Sequence, residues 1–326
     1  MEPKGFASIF ATTYNRICRM EFELLNTTNI NLVRDCFNRC RKRNLSLNFF
    51  KKKYSTKWSG SSLLGIIAMD EKHSVALCCT TIYRLRSKYS DYLIAQCGDL
   101  VVDEKLRRQG VFSGMIVQLE KLAEKNRIDA VIVFPNKIAN KIYEKLDDWR
   151  HIGNFYSFSF KVKTMPLLKL LNKLHLNDLY FNILRRVSSN AFISKIKNKE
   201  ITENDKIGVY VDSDYLDYKT YGKYSCHLYN GKAIIWTFSD GLVVLFSEVT
   251  TKKELEQEIQ HLKSFCQKRG IHRFTYHCYS GSMLYSLLSS DYEAKPTLPV
   301  YAYQINPNLD CSKMVFNGID RNAFDL

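Results

Sequence analysis

Of 326 residues only 6 are proline and 14 are glycine, which excludes collagen-like and low-complexity chains. No apolar run approaches the ~20 residues that a membrane-spanning helix needs. The first twenty residues hold no continuous apolar stretch of the secretory kind, because Asn15 and Arg16 interrupt it. Ten cysteines are present, but without the paired spacing of a secreted disulfide framework. Cys36 and Cys40 stand one helical turn apart and could share a metal. No second Cys/His pair at zinc spacing follows them, and the seven histidines are dispersed. These absences lead to the expectation of a cytoplasmic chain with reduced, buried thiols and no metal.

Hydrophobic residues make up 45% of the chain and aromatics 13%, ample for a packed core. The length fits two domains better than one. Charge is one-sided: 48 Lys and Arg stand against 33 Asp and Glu, a net +15. Nine basic and two acidic residues fall between 161 and 200, so +7 of that excess sits in forty residues. Such a balance favours polyanionic partners: nucleic acid, an anionic membrane face, or a multiply phosphorylated cofactor. Composition does not choose among them.

Hydrophobic periodicity predicts a helix over 31–43, strands over 63–69, 75–83 and 92–102, and a charged loop over 103–109. Beyond Gly110 a helix carries Met115, Ile116, Leu119, Leu122 and Ala123 on one face. A strand over 130–134, a helix over 137–146 and an aromatic strand over 151–160 follow. The basic segment 161–200 then carries Leu167, Leu170, Leu171 and Leu174 at helical spacing and reads as one or two amphipathic helices. After it the element order repeats, with strands over 233–238 and 242–249, a helix over 252–268, a strand over 272–278, a short helix over 283–288 and a strand over 300–304. The expected organisation is α/β (an α+β mixed sheet), with domains at 1–160 and 201–326 joined by a basic helical linker at 161–200.

Residues 100–114 are the chemically informative segment. A strand ends at Leu100, Val101 and Val102, basic residues follow, Gly110 allows close backbone approach, and a helix begins. Unpaired N–H groups at a helix start, with the positive end of its dipole, form an anion site. Arg107 and Arg108 add charge, Ser113 adds a hydroxyl, and a pyrophosphate is the natural guest. An ordinary turn with two solvated arginines has the same pattern.

At this point the sequence resembles the GNAT (GCN5-related N-acetyltransferase) acyltransferases. Their marked loop is R/Q-x-x-G-x-G/A at a helix start, and Arg107, Gly110 and Phe112 occupy those positions, Phe112 replacing the usual Gly or Ala. Twenty-two residues on, 134–146 resembles the family's N-x-x-A-x-x-x-Y-E-K-L pattern through Asn136, Ala139, Tyr143 and Leu146. Asp147, Asp148 and Trp149 stand where a Gly-Phe usually closes it. Residues 49–54 and 95–99 are similar to tandem GNAT-like proteins encoded with bacterial surface-polysaccharide genes.

The resemblance implies direct acyl transfer from acetyl-CoA, as co-substrate, to a primary amine. It places the pantetheine arm along Leu100, Val101 and Val102 and the pyrophosphate on Arg107, Arg108, Gln109, Gly110, Val111, Phe112 and Ser113. Tyr143 matches the tyrosine that protonates the departing sulfur. Asp99 is the candidate for binding or deprotonating the amine, with a structural ion pair as the alternative. Asn136 and Asn140 bond either backbone or cofactor. The implied acceptor is an amino sugar on a nucleotide or lipid carrier. A non-catalytic CoA binder and a tRNA-dependent aminoacyltransferase are the alternatives, and no nucleic acid is expected as a partner.

The second half lacks this loop. Thr251 and Glu254 have capping-box spacing, so a carboxylate would occupy the helix start where a phosphate should bind, making that copy degenerate. For the basic segment two readings stand: a linker helix docked between domains, or a helix in peripheral contact with an anionic membrane's inner face.

Overall fold

The structure, a computed structural model, describes residues 20–55, 57–59, 63–70, 73–165, 167–188, 205–209, 211–219 and 224–321. Its first half comprises β1 (Glu21–Leu24), α1 (Ile30–Arg41), α2 (Leu47–Lys53), β2 (Leu64–Asp70), β3 (His73–Arg86), β4 (Asp91–Val102), α3 (Val111–Lys125), β5 (Ala130–Val133), α4 (Lys137–Tyr143) and β6 (Trp149–Lys161). Helices α5 (Leu167–Lys173), α6 (Asn177–Ser188) and α7 (Ser213–Tyr218) lead into the second half. It continues with β7 (Tyr224–Tyr229), β8 (Lys232–Phe238), β9 (Leu242–Ser247), α8 (Lys252–Lys268), β10 (Arg273–Tyr279), α9 (Met283–Ser289) and β11 (Lys295–Gln304).

The eleven strands among the described residues form one sheet in the order β1-β2-β3-β4-β5-β11-β6-β10-β9-β8-β7. Apart from the edge strand β1, the order is symmetric about the β11–β6 pair, because the two repeats exchange their last strands. β6 pairs antiparallel with β10 of the second repeat, and β11 pairs antiparallel with β5 of the first. β6 and β11 also pair with each other. Each repeat keeps one parallel pair, β4 with β5 and β9 with β10.

The core residues show why these segments fold this way. α3 buries Met115, Ile116, Leu119 and Ala123 at helical spacing, against β4 and β5 residues that include Ala95, Val131 and Val133. α8 buries Leu255, Ile259, Leu262 and Cys266 in the same manner. Cross-strand register puts the α3, α4, α8 and α9 clusters on one face of the sheet, where α5 and α6 also dock through Leu168, Phe181 and Leu184. The opposite face is covered by α1, α2, α7 and the segment after β11.

A β-bulge interrupts each repeat at the same point. Thr80 pairs with Cys97 and Cys79 with Asp99, which leaves Gly98 as the extra residue in β4. In the second repeat Trp236 pairs with Val244 and Ile235 with Phe246, which leaves Leu245 extra in β9. Both bulges directly follow the last residue paired in the parallel ladder, Cys97 in β4 and Val244 in β9. Bulges bend a strand and re-aim its side chains.

Candidate active site

The site begins where two parallel strands part. β4 and β5 pair from Ile94–Ala130 to Cys97–Val133, and there β5 ends. Pro135 follows without a backbone donor, and Asn136 turns the chain into α4. Among the described residues, β4 runs on to Val102 with no strand neighbour on that side. The exposed edge of 98–102 therefore offers alternating N–H and C=O groups to any extended, amide-bearing chain. Because Gly98 shifts the alternation, Cys97, Leu100 and Val102 all face α3 with Phe112 and Tyr143. The Val101 side chain points the other way, into the α1–α2 core, so only its backbone can reach the opening.

The loop after β4 is built around backbone donors. The Asp103 carboxylate accepts from the Lys105 N–H and starts a single turn that Leu106 anchors in the core. Arg107 donates from Nε to the Val102 carbonyl at 3.3 Å, and Gln109 donates to the Lys105 carbonyl at 2.7 Å. Arg108 (φ 62°) and Gly110 (φ 75°) both lie in the left-handed region. Such residues within a turn gather successive N–H groups into a concavity that suits an anion. Gly110 is the N-cap of α3 and contributes no side-chain cap. The first bond within the helix runs from the Gly114 N–H to the Gly110 carbonyl, so the N–H groups of Val111, Phe112 and Ser113 precede the ladder. The guanidinium groups of Arg107 and Arg108 flank them in solvent. Arg39 of α1 adds a cation that sequence reading missed, held 3.5 Å from Asp103.

Tyr143 is 3% exposed and stands among aromatic rings: Trp149 at 4.8 Å, Tyr301 at 6.0 Å and Phe112 at 6.2 Å. Burial holds its phenol well above the usual tyrosine range, so it keeps its proton. Tyr301 belongs to β11, so the strand exchange brings a second-repeat ring to the first-repeat site. The two asparagines separate. Asn136 is committed to structure, accepting from the Ile138 and Ala139 N–H groups at 3.0 Å each as the N-cap of α4. Asn140 donates to Glu144 at 2.6 Å, while its buried Oδ1 has no partner among the described residues. That orphaned acceptor and the uncapped α3 N–H groups suit the amides and pyrophosphate of an acyl-CoA.

Asp99 lies across β4 from this opening. Its carboxylate is 2.9 Å from Lys53 Nζ and accepts the Tyr54 hydroxyl. The Lys53 ammonium is fully buried and lies about 6 Å from the ring centres of Phe37, Phe49 and Tyr54. Next to it, Gln96 donates to the Asp320 carbonyl at 3.1 Å, and the Asp320 carboxylate accepts from Tyr215 at 2.5 Å. Burial raises the Asp320 carboxyl above its ordinary value. None of these partners is near Asp99 or Gln96 in sequence.

The second repeat has the same strand opening with different chemistry. β9 and β10 part after Val244–Tyr276, and a cleft lies beyond them, lined by Leu245, Ser247, Thr250, His277 and Asn317. Here the helix start is filled from within. Thr251 and Glu254 form a reciprocal capping box, and the Glu254 carboxylate also accepts from Thr250 and from Lys232 at 2.8 Å. Lys232 and the Thr250 backbone pull the Glu254 carboxyl down to about 2. Gly318 packs into the opening so closely that a Cβ there would stand 2.9 Å from the Leu245 carbonyl oxygen and 3.0 Å from that of His277.

Among the described residues no group of three or more His, Cys, Asp or Glu could hold a metal, and no helix is long and apolar enough to cross a membrane.

No family model matches the chain, and no curated protein matches it in sequence. Solved structures do match in fold. A conserved protein of Enterococcus faecalis, described as a "Probable N-Acyltransferase", gives a TM-score of 0.61 at 12% identity over 88% of this chain and 73% of that one. A GCN5-related N-acetyltransferase from Kribbella flavida gives 0.56 at 12% identity, over 89% and 72%. Saccharomyces cerevisiae N-myristoyltransferase, solved with bound myristoyl-CoA, gives 0.51 at 10% identity, over 86% and 82%. The chain therefore has the GNAT fold, in the mixed α/β form expected from its element order.

Proposed function

We propose that the chain is an N-acyltransferase that takes an acetyl group from acetyl-CoA and passes it to the primary amine of an amino sugar in a surface-polysaccharide precursor. One observation carries the donor half: an uncapped, left-handed loop at the start of α3 beside an unpaired strand edge, in the repeat whose twin has sealed the same place with Glu254. The solved neighbours, among them the myristoyl-CoA-bound transferase, support acyl-CoA as the donor class. The acceptor rests on the sequence resemblance of 49–54 and 95–99.

In this reading each residue has a physical task. Backbone N–H groups of Val111, Phe112 and Ser113 hold the pyrophosphate, with Arg107 and Arg108 as screening cations. The 98–102 edge pairs with the pantetheine amides, and Asn140 Oδ1 accepts one of their protons. A β4 backbone N–H just beyond Gly98 donates to the thioester oxygen as negative charge gathers there. The neutral amine nitrogen bonds to the carbonyl carbon, the carbon–sulfur bond breaks, Tyr143 gives its proton to the leaving sulfur, and the proton that the nitrogen sheds returns through solvent to the Tyr143 oxygen. Asp99 serves as a positioning residue: its pair with Lys53 fixes the bulge that aims those N–H groups. The second repeat contributes Tyr301 and walls of the acceptor side, without a nucleotide of its own. If the acceptor rides on a lipid, the enzyme works at an anionic membrane face.

The test joins calorimetry to a thiol-release assay. Acetyl-CoA should bind one per chain, and free CoA should appear only when an amine is supplied, fastest within a panel of amino sugars and their nucleotide conjugates. Binding without release across that panel would leave a CoA-binding protein and end the enzyme reading.

A further inference from the structure

The twelve large apolar side chains that stand exposed among the described residues are not scattered. Seven of them fall between 165 and 183. Met165 is 81% exposed, Leu170 and Leu174 56% each, Leu179 59% and Ile183 51%. They belong to α5, α6 and their flanks, and those helices have already met their structural needs. Leu168, Phe181 and Leu184 are buried against the sheet, and Phe181 stacks on Phe238 at 5.5 Å. Thr164 donates to the Gln267 carbonyl at 2.9 Å and Tyr180 to that of Arg269 at 2.5 Å, which pins α6 and the residues before α5 to the end of α8. A docked linker explains the buried side only. The outward row remains, and exposed apolar patches of this kind mark interaction surfaces.

Charge says what covers it. From 161 to 188 the chain has Lys161, Lys163, Lys169, Lys173, Arg185 and Arg186 against Asp178 alone, a net +5 in the segment that carries the apolar residues, and Lys163, Lys173 and Arg186 are exposed. A second copy of the chain laid on the same patch would set these cations against their own kind. An anionic surface would neutralise them while the leucines enter the acyl layer. We infer that α5 and α6 form a docking surface for an anionic lipid bilayer, with the outward leucines inserted at the headgroup boundary and the exposed Lys163, Lys173 and Arg186 on the phosphates. The surface lies on the same face of the sheet as α3 and Tyr143.

The inference stands without the transferase reading, since vesicle binding is measured with no acyl-CoA present. Co-sedimentation uses the full chain with vesicles of zwitterionic lipid alone or with 30% phosphatidylserine or phosphatidylglycerol, at ~0.1 and ~0.5 M salt. Pelleting should require the anionic lipid and weaken at the higher salt. Each basic residue in contact contributes about fivefold in partitioning, so Lys163→Gln, Lys173→Gln and Arg186→Gln together should lower it roughly 100-fold. Leu170→Ser, Leu174→Ser, Leu179→Ser and Ile183→Ser together should lower it at least as far, with an unchanged thermal midpoint because all four are exposed. No pelleting at low salt would overturn the inference, as would pelleting that the leucine variant leaves intact. A concentration-dependent dimer abolished by that same variant would assign the patch to a second copy instead.

Discussion

Placing a glutamate at Ser113 should convert the first-repeat loop into a copy of the second. Gly110 is the N-cap of α3, so Ser113 is its third residue, the position that Glu254 holds in α8. A carboxylate there would draw on the same N–H groups that the pyrophosphate needs. Two unit charges ~5 Å apart at an effective dielectric of ~20 repel by about 3 kcal/mol, and solvent screening at this exposed position brings that to roughly 1.5–3 kcal/mol. Ser113→Glu should therefore weaken acetyl-CoA binding roughly 10- to 150-fold. The helix itself should gain, since an acid in the first turn is worth ~0.3–1 kcal/mol. Calorimetry and a thermal melt on one preparation read both effects: affinity falls while the midpoint holds or rises. Ser113→Gln, similar in size and uncharged, should bind within about threefold of the parent. The reasoning fails if Ser113→Glu binds as the parent does, or if Ser113→Gln loses as much.

Tyr143→Phe should lower kcat by roughly 10²-fold with acetyl-CoA affinity unchanged, because the ring contacts survive and only the proton donor goes; a variant with full turnover would remove Tyr143 from the chemistry. Asp99→Asn leaves the buried Lys53 ammonium without its counter-ion, a cost of about 3–5 kcal/mol that should lower the thermal midpoint by roughly 10 °C. Lys53→Met with Asp99→Asn should recover most of that midpoint and keep turnover within about tenfold, whereas a stable double variant without activity would make Asp99 the base. Burial lifts the Glu258 carboxyl to about 7 from an ordinary 4.5, so the folded protein binds a proton there that the unfolded chain has lost. The parent should lose stability as pH rises between those values, and the advantage of Glu258→Gln should grow across that window and level off above it; a gap in midpoint that stays flat with pH would refute the assignment.

The parts of the fold that the sequence showed are those that local patterns determine. α8 was legible from end to end because its apolar residues keep helical period and Thr251 and Glu254 mark its start. The α3 loop was legible through Gly110 and its arginines. β1 and β7 were missed because both are edge strands, and β7 buries little besides Ser225, so no hydrophobic alternation advertises it. β11 runs five residues further back than expected because it accommodates Pro296 and Pro299, with a register shift beside the first. The exchange of β6 and β11 was invisible, since periodicity says that a segment is a strand but not which strand it will meet. The ion pair of Lys53 with Asp99 was hidden for a related reason: 46 positions separate them in sequence, and the Gly98 bulge decides which face Asp99 takes.

The most direct measurement is a crystal structure of the chain grown with acetyl-CoA. It should show one molecule per chain, its pyrophosphate on the N–H groups of Val111, Phe112 and Ser113, its pantetheine arm along 98–102, and its sulfur beside the Tyr143 hydroxyl. The opening between β9 and β10 should hold no nucleotide. Acetyl-CoA seated between β9 and β10, or bound away from both openings, would contradict it.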